Sequence, residues 1–531
     1  MDSESNSKRC NWWRGSVLYH IYLRSFSDSN RDGFGDLKGA TEHLDYVSEL
    51  GISGIWLSPT MPSPNYDWGY DVSDYLGVHP DYGTLEDLDH FVSEAESRGM
   101  KVLLDLVPNH TSSEHPWFVS ALSDPNSPYR NYYVFAKPKG DGSPPNNWLD
   151  ATGESAWTLD DNSGEYYLHN FLSSQPDLNW WNDSVHEEFE RILHFWFDRG
   201  IAGFRIDVAH ALYKDRELQD DPPAGNVPAA FSHFGLLEKH SKNQDDVHDV
   251  YRRWRKIASD YDPERLLVGE TWVDDMSQLA SFYGSDDELN LAFNFPFMFA
   301  EFSSIALSRA VSQTFASLPV GSTPVWTASN HDVSRFPTRW AGGSQAKVRM
   351  ALSILTTLPG TIVLYYGDEL GLCDVEVALE DQRDSMTSMV PKARFQRDRV
   401  RTPMQWKSGI GRGFAEKDVK PWLPFGLDDG RDVESQRRDQ GSIFNLTKSL
   451  LELRTNAVKG DAEYREIEVT DDSWHYKAGK LSVFVNFSDK IRVVELGGVG
   501  TILTANGDSL LLEGSDKEVT VGPWEAVVRS S

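Results

Sequence analysis

Short apolar runs alternate with stretches of helical spacing through most of this chain. Val17 to Phe26, rich in Leu, Ile and Tyr, predicts a strand; a helical stretch runs on to Leu50, and a second apolar run covers Ser53 to Pro59. Leu85 to Arg98 has helical spacing and stops at Gly99, and Lys101 to Asn109 is again largely apolar. Asp183 to Arg199 predicts a helix ended by Gly200, followed by a strand over Gly203 to His210. The alternation continues with Asp246 to Asp260 helical, Arg265 to Thr271 and Leu289 to Phe297 extended, and 299 to 316 helical. Pro324 to Asp332 extended, Ser344 to Leu358 helical and Thr361 to Asp368 extended complete it. Strands apolar on both faces suit a parallel sheet covered by helices, and about eight such units predict an α/β chain closed into a (β/α)8 barrel.

Two regions break the pattern. Residues 110 to 178 turn to Pro, Asn, Ser, Gly and aromatics with no helical period, which marks a functional insertion in a compact domain. After Glu369 an irregular stretch runs to about Gln440, a last helix covers Ser442 to Arg454, and from Ala457 short strands such as Lys480 to Phe487 and Trp524 to Arg529 predict an antiparallel C-terminal domain. The expected organisation is a barrel from 12–109 and 179–456, an inserted subdomain over 110–178 and a β-sandwich over 457–531.

Composition narrows the partners. The net charge is -30 and the pI about 4.8, so nucleic acid and anionic membranes are poor partners, and a small neutral substrate is easier to reconcile. A mean hydropathy of -0.48 and the absence of a long apolar run argue against a membrane span. Two cysteines, Cys10 and Cys373, far apart, make a disulfide framework unexpected, and the N-terminus has no apolar signal core, so the expected location is cytoplasmic. A monomer or homodimer is expected.

The chemistry gathers at predicted strand ends. In Gly203-Phe-Arg-Ile-Asp-Val-Ala-His, alternate residues share a face, so Arg205 and Asp207 lie together and the guanidinium is expected to keep the carboxylate ionised. A structural ion pair is the plain alternative. In barrels of this kind chemistry sits at the C-terminal strand ends, which collects Asn109 and His110, Asp207 and His210, Glu270, and His331 and Asp332. Hydrolysis of an acetal needs one carboxylate to attack or stabilise the cationic sugar and a second, protonated, for the leaving oxygen. Asp28-Ser-Asn-Arg-Asp-Gly-Phe-Gly-Asp36 places oxygen side chains at alternate positions around a glycine turn, as a hard cation requires. It lacks the acidic twelfth position of an EF-hand, where Gly39 stands, and follows a strand; a structural Ca²⁺ or Mg²⁺ loop and a solvated acidic turn are both open.

Asp105 to His110 (Asp-Leu-Val-Pro-Asn-His), Gly203 to Asp207, Gly269-Glu270 and Ser329 to Asp332 (Ser-Asn-His-Asp), with Gln175-Pro-Asp-Leu-Asn179 and Arg401-Thr-Pro-Met-Gln-Trp406, resemble the α-amylase family of glycoside hydrolases. The resemblance runs from about Trp12 to the C-terminus and points to the family's α-glucosidase and oligo-1,6-glucosidase branch. It implies Asp207 as nucleophile, Glu270 as general acid/base and Asp332 as the carboxylate that holds and distorts the glucosyl ring. Glu270, reached through apolar Leu266 to Val268 and with no expected cation beside it, would be raised in pKa as a proton donor requires. His110 and His331 resemble the histidines that bond the glucosyl ring. Asp67, Tyr70 and Arg401 match a stacking ring and a charged pair that close the pocket behind a terminal glucose, which implies exo action, and Phe171 is expected to line the same pocket. The loop ligands Asp28, Asn30, Asp32, Phe34 and Asp36 resemble a metal loop of this branch.

The implied activity is a retaining exo-acting α-glucosidase on short, maltose-type α-glucosides, able to transfer glucose to a sugar hydroxyl. Trp68 stands where many relatives carry Asn. Val208 resembles the residue after the nucleophile in α-1,6-cleaving enzymes, while Ala209-His210-Ala211 departs from their usual continuation. Oligo-1,6-glucosidase and sucrose hydrolase or isomerase remain as alternatives. A non-catalytic barrel, like the amino-acid transporter heavy chains that resemble this family, is disfavoured because no carboxylate of the set is missing.

Overall fold

Leu18, Trp56, Leu103, Leu291, Val325 and Val363 fall in one buried cluster, and their immediate strand neighbours Tyr19, Ile55, Leu104, Ala292, Trp326 and Leu364 fall in another. A period of two that divides residues between two separate cores means a sheet buried on both faces: here one set fills the inside and the other meets the surrounding helices. The computed structural model describes residues 11–225, 232–273, 275–385, 396–458, 462–496, 500–504, 512–514 and 518–530. Its central sheet has eight strands: Val17–Ile21, Gly54–Leu57, Lys101–Leu106, Gly203–Ile206, Leu266–Gly269, Leu291–Ala292, Val325–Thr327 and Thr361–Tyr365. Every neighbouring pair is parallel, the eighth strand returns to the first (Val17 beside Ile362), and a bridge from Phe293 to Val325 joins the sixth to the seventh.

Gly203 lets the fourth strand lie close to the fifth. A Cβ there would stand 2.2 Å from the carbonyl oxygen of Leu266, its partner in the register, so any larger residue pushes the strands apart. Helices cover the outside with conventional stops. Asp183–Asp198 buries Val185, Phe189, Ile192, Leu193, Trp196 and Phe197 and is capped by Asn182, whose side chain accepts from Ser184 N. Leu85–Ser97 opens with a reciprocal Thr84 and Asp87 capping box.

The predicted barrel strands are all shorter than their apolar runs, and two of the runs turn directly into helical structure. The run from Val17 leaves the sheet after Ile21 and becomes a 3₁₀ turn at Leu23–Ser25. Leu289 to Phe297, expected to be extended throughout, is a two-residue strand followed by a short helix, Phe295–Met298, with Asn294 as its cap and Pro296 in its first turn. Apolar residues suit a buried helix as well as a buried strand, and Asn-Phe-Pro selects the helix start.

Within 110–178, Phe135–Ala136, Trp157–Asp160 and Glu165–Leu168 form a three-stranded antiparallel sheet. A bridge between His110 and Asp177 ties both ends of this insertion together at the mouth of the barrel. The C-terminal region is antiparallel, with a six-stranded sheet and a two-stranded one. Its Trp474, Tyr476, Val483 and Val528 belong to the same buried cluster as the barrel helices, and Tyr476 OH lies 2.6 Å from Thr357 Oγ1. No helix of the described residues is long and apolar enough to cross a membrane. Cys373 is a free thiol, while Cys10 and the charged N-terminal segment lie outside the described residues.

Candidate active site

The inward positions of the fourth strand are Gly203, Arg205 and Asp207, and the strand ends at Ile206, so Asp207 sits where the chain turns out of the sheet. Val208 follows with φ of 46°, an unusual value for a β-branched residue, and its N–H donates to Glu270 Oε2 at 3.0 Å. Arg205, buried, joins three carboxyls: Nη1 is 2.8 Å from both Asp105 Oδ1 and Asp207 Oδ1, and Nη2 is 2.6 Å from Glu270 Oε1. Its guanidinium also lies 5.2 Å from the Trp56 ring and 5.7 Å from that of Tyr70.

Two expectations change here. Glu270 has a close cation, Arg205, because strands four and five are neighbours and the forked guanidinium spans both strand ends. Asp207 is not simply held ionised by Arg205: burial pushes its pKa well up, and Glu270, hydrogen-bonded to it, and Asp105 add to the rise against the pull of Arg205. Asp105 is also raised, to about 7, chiefly by burial. Three carboxyls share one guanidinium in a buried place, an arrangement that favours keeping a proton among them.

The other residues join this cluster through Tyr70. Its hydroxyl is 3.1 Å from Asp105 Oδ2 and 2.6 Å from His331 Nε2, and its ring is stacked on that of His331 at 5.2 Å. His331 Nε2 is 3.0 Å from Asp332 Oδ2; burial first, then Arg401, Arg205 and Arg397, push the His331 pKa well down, so the ring is neutral. Asp332 Oδ1 is held by Arg401 Nη2 at 2.8 Å, and Arg401 Nε donates to the His331 carbonyl. On the opposite wall Gln175 Nε2 lies 3.2 Å from Asp67 Oδ2 and 3.0 Å from His110 Nε2, and the half-buried Phe171 ring is 5.1 Å from that of His110.

The charged pair assigned to Asp67 and Arg401 is corrected. Asp67 meets Arg397, at 2.5 Å, and the same Nη2 is 2.6 Å from Asp384, while Arg397 Nη1 reaches Asp332 at 3.6 Å. Arg397 and Arg401 bracket one 3₁₀ turn, Arg397–Val400, and their spacing does not reveal which faces Asp67. Lys214 also escaped the sequence reading. It is buried against Asp177 and Asn109, at 2.7 and 2.8 Å, and the only sequence hint is a lysine close after an apolar strand end. Trp68, at φ of 51°, donates its indole N–H to the Arg383 carbonyl, next to Asp384.

The Asp28–Asp36 loop stands apart from this cavity. Asp28 Oδ2 accepts from Gly33 N, Asp32 Oδ1 from Phe34 N, and Asn30 Oδ1 from Asp32 N, while Asp36 caps Leu37–Glu42 through Gly39 N. No group of three or more His, Cys, Asp or Glu side chains gathered as metal ligands occurs among the described residues.

Known proteins resemble this chain over most of its length. The α-amylase catalytic domain profile matches residues 20–460. A probable α-glucosidase of Rhizobium meliloti (strain 1021) is 36% identical over 97% of this chain and 96% of its own length. An oligo-1,6-glucosidase of Parageobacillus thermoglucosidasius is 34% identical over 97% and 98%. The crystal structure of the α-glucosyl transfer enzyme XgtA superposes with a TM-score of 0.90, at 33% identity, over 98% of this chain and 99% of that one. The chain belongs to the α-amylase family of glycoside hydrolases.

Proposed function

We propose that this protein is a retaining, exo-acting α-glucosidase that releases α-D-glucose from the non-reducing end of short, maltose-type α-glucosides. The observation that carries the reading is the contact of Asp207 and Glu270 with the two terminal nitrogens of one guanidinium, Arg205. Two carboxyls bridged by one guanidinium lie close together, in keeping with the short spacing of retaining pairs, about 5 to 5.5 Å, rather than the wider gap that an inverting pair leaves for water.

Asp207 attacks the anomeric carbon while Glu270 gives its proton to the leaving oxygen, and the bond between sugar and aglycone breaks as the glucosyl–Asp207 ester forms. Glu270 then takes a proton from water, or from a sugar hydroxyl in a transfer reaction, and the ester opens with net retention. Asp332, held by Arg401, faces the ring's hydroxyls, and His110 and His331 bond them. The chain Asp67–Arg397–Asp384 supports exo action, because a buried ion pair behind the terminal glucose blocks a longer chain from threading through.

A preference for α-1,6 bonds is the second reading. It is favoured by Val208, whose side chain follows the nucleophile and whose backbone touches Glu270. Chromatography of the products from maltose, isomaltose, sucrose and trehalose separates the readings. Glucose released fastest from maltose is expected; fastest release from isomaltose selects the second reading, and no release from any of the four overturns both.

We also propose that the Asp28–Asp36 loop takes a structural Ca²⁺ or Mg²⁺, with Asp28, Asn30, Asp32 and Asp36 as side-chain donors and Phe34 through its carbonyl. What supports this is the gathering of oxygen side chains at alternate positions of one turn, with the loop's one basic residue, Arg31, turned onto Glu416 and Asp418 rather than onto them. Removal of divalent cations with EDTA is expected to lower the melting temperature by several degrees and Ca²⁺ to restore it; an unchanged melting curve contradicts the assignment.

A further inference from the structure

Lys214, almost fully buried, has donors only, and its ammonium reaches Asp177 Oδ2, Asn109 Oδ1 and, at 3.3 Å, the carbonyl of Leu212. The amide oxygen of Asn109 is therefore turned to Lys214, which leaves Asn109 Nδ2 facing His110 Nδ1 at 3.2 Å. An amide nitrogen only donates, so Nδ1 accepts. Burial lowers the His110 pKa, the ring is neutral at pH 7, and its one proton must sit on Nε2. Nε2 is 3.0 Å from the Tyr70 carbonyl, which accepts that proton, and 3.0 Å from Gln175 Nε2. Gln175 is itself fixed, its oxygen accepting from Leu172 N and its nitrogen donating to Asp67. The ring's one N–H is thus held by the Tyr70 carbonyl, with the Gln175 amide nitrogen packed beside it.

We propose that Lys214 is a positioning residue that acts through Asn109 to fix His110 as the Nε2–H tautomer, so that the Nε2–H bond to the Tyr70 carbonyl holds the ring in one orientation at the wall of the glucosyl pocket. The glucosyl pocket rests on the function proposed above; the tautomer does not. Lys214 also spans the loop after the fourth strand and Asp177 of the insertion, so the same ammonium joins the two walls that carry His110 and Gln175.

Two-bond ¹H–¹⁵N correlation spectra of ¹⁵N-histidine-labelled, sugar-free protein read the tautomer directly, with His110 assigned by the signal lost in His110→Asn. The native protein is expected to show the Nε2–H pattern. Lys214→Met/Asp177→Asn, which removes the pair without stranding a buried charge, is expected to give averaged shifts of mixed tautomers. Asn109→Asp, with acceptors at both side-chain oxygens, is expected to convert His110 to Nδ1–H. In the double variant KM for an aryl α-glucoside should rise about tenfold with kcat changed less, the scale of one misaligned hydrogen bond. A native Nδ1–H pattern, or an Nε2–H pattern unchanged in both variants, overturns the proposal. A native protein inactive on every α-glucoside overturns the functional reading and leaves the tautomer result standing.

Discussion

Arg205 is the residue on which the site turns, because one guanidinium serves three carboxyls on three adjacent strands. The raised pKa of Asp207 owes part of its rise to Asp105, so removing that charge must lower it. For Asp105→Asn the acidic limb of the kcat/KM profile against pH, which follows ionisation of the nucleophile, is expected to move to lower pH. A limb that stays in place or moves up would show that Asp207 does not govern it. The sequence identified Arg205, Asp207 and Glu270 but neither Asp105 as the third carboxyl of the cluster nor the charges the three carry. Arg205 and Asp207 are two apart and invite a simple pair, whereas the contact of Arg205 with Glu270 exists only once the fourth and fifth strands lie side by side. Arg397 escaped for a related reason: several arginines crowd that segment, and tertiary path alone selects the one that meets Asp67.

At the scale of elements, the barrel was legible because alternating apolar runs and helical spacings leave few other architectures. The shortened strands were not, since apolar residues fill a buried helix as readily as a strand. Pro116–Ser123 begins with a histidine cap: His115 Nδ1 accepts from Trp117 N at 3.2 Å, which requires the neutral ring. Burial lowers the His115 pKa from 6.5 to about 4. The unfolded chain therefore binds the proton more readily, and the cap's contribution is full above pH 6.5 and lost as pH falls from about 6.5 toward about 4. His115→Asn, which keeps an acceptor but cannot titrate, is expected to reduce the loss of stability between pH 7 and pH 4.5 by on the order of 1 to 2 kcal/mol. Thermal melts at the two pH values test this, and an equal loss in both proteins contradicts it.

For the whole molecule, the boundary near residue 457 separates sheet types but not cores. The helix Gln345–Thr357 packs on both the last barrel helix and the final strand Glu525–Ser530, and Trp474 and Tyr476 lie within the barrel's own hydrophobic cluster. A chain ending at residue 458 would expose that helix face, so it is expected to be recovered as insoluble or molten material, measured by soluble yield and near-UV circular dichroism. A truncated chain with native spectrum and activity would show the C-terminal sheets to be dispensable.

The account as a whole depends on Asp207 forming a bond to the sugar. Mass spectrometry of peptides from enzyme treated with a fluorinated α-glucosyl fluoride, which forms the glucosyl ester faster than water cleaves it, tests that claim directly. The expected result is a single fluoroglucosyl adduct on the peptide containing Asp207. An adduct on Glu270 or Asp332, or an active enzyme that accumulates none, would contradict it.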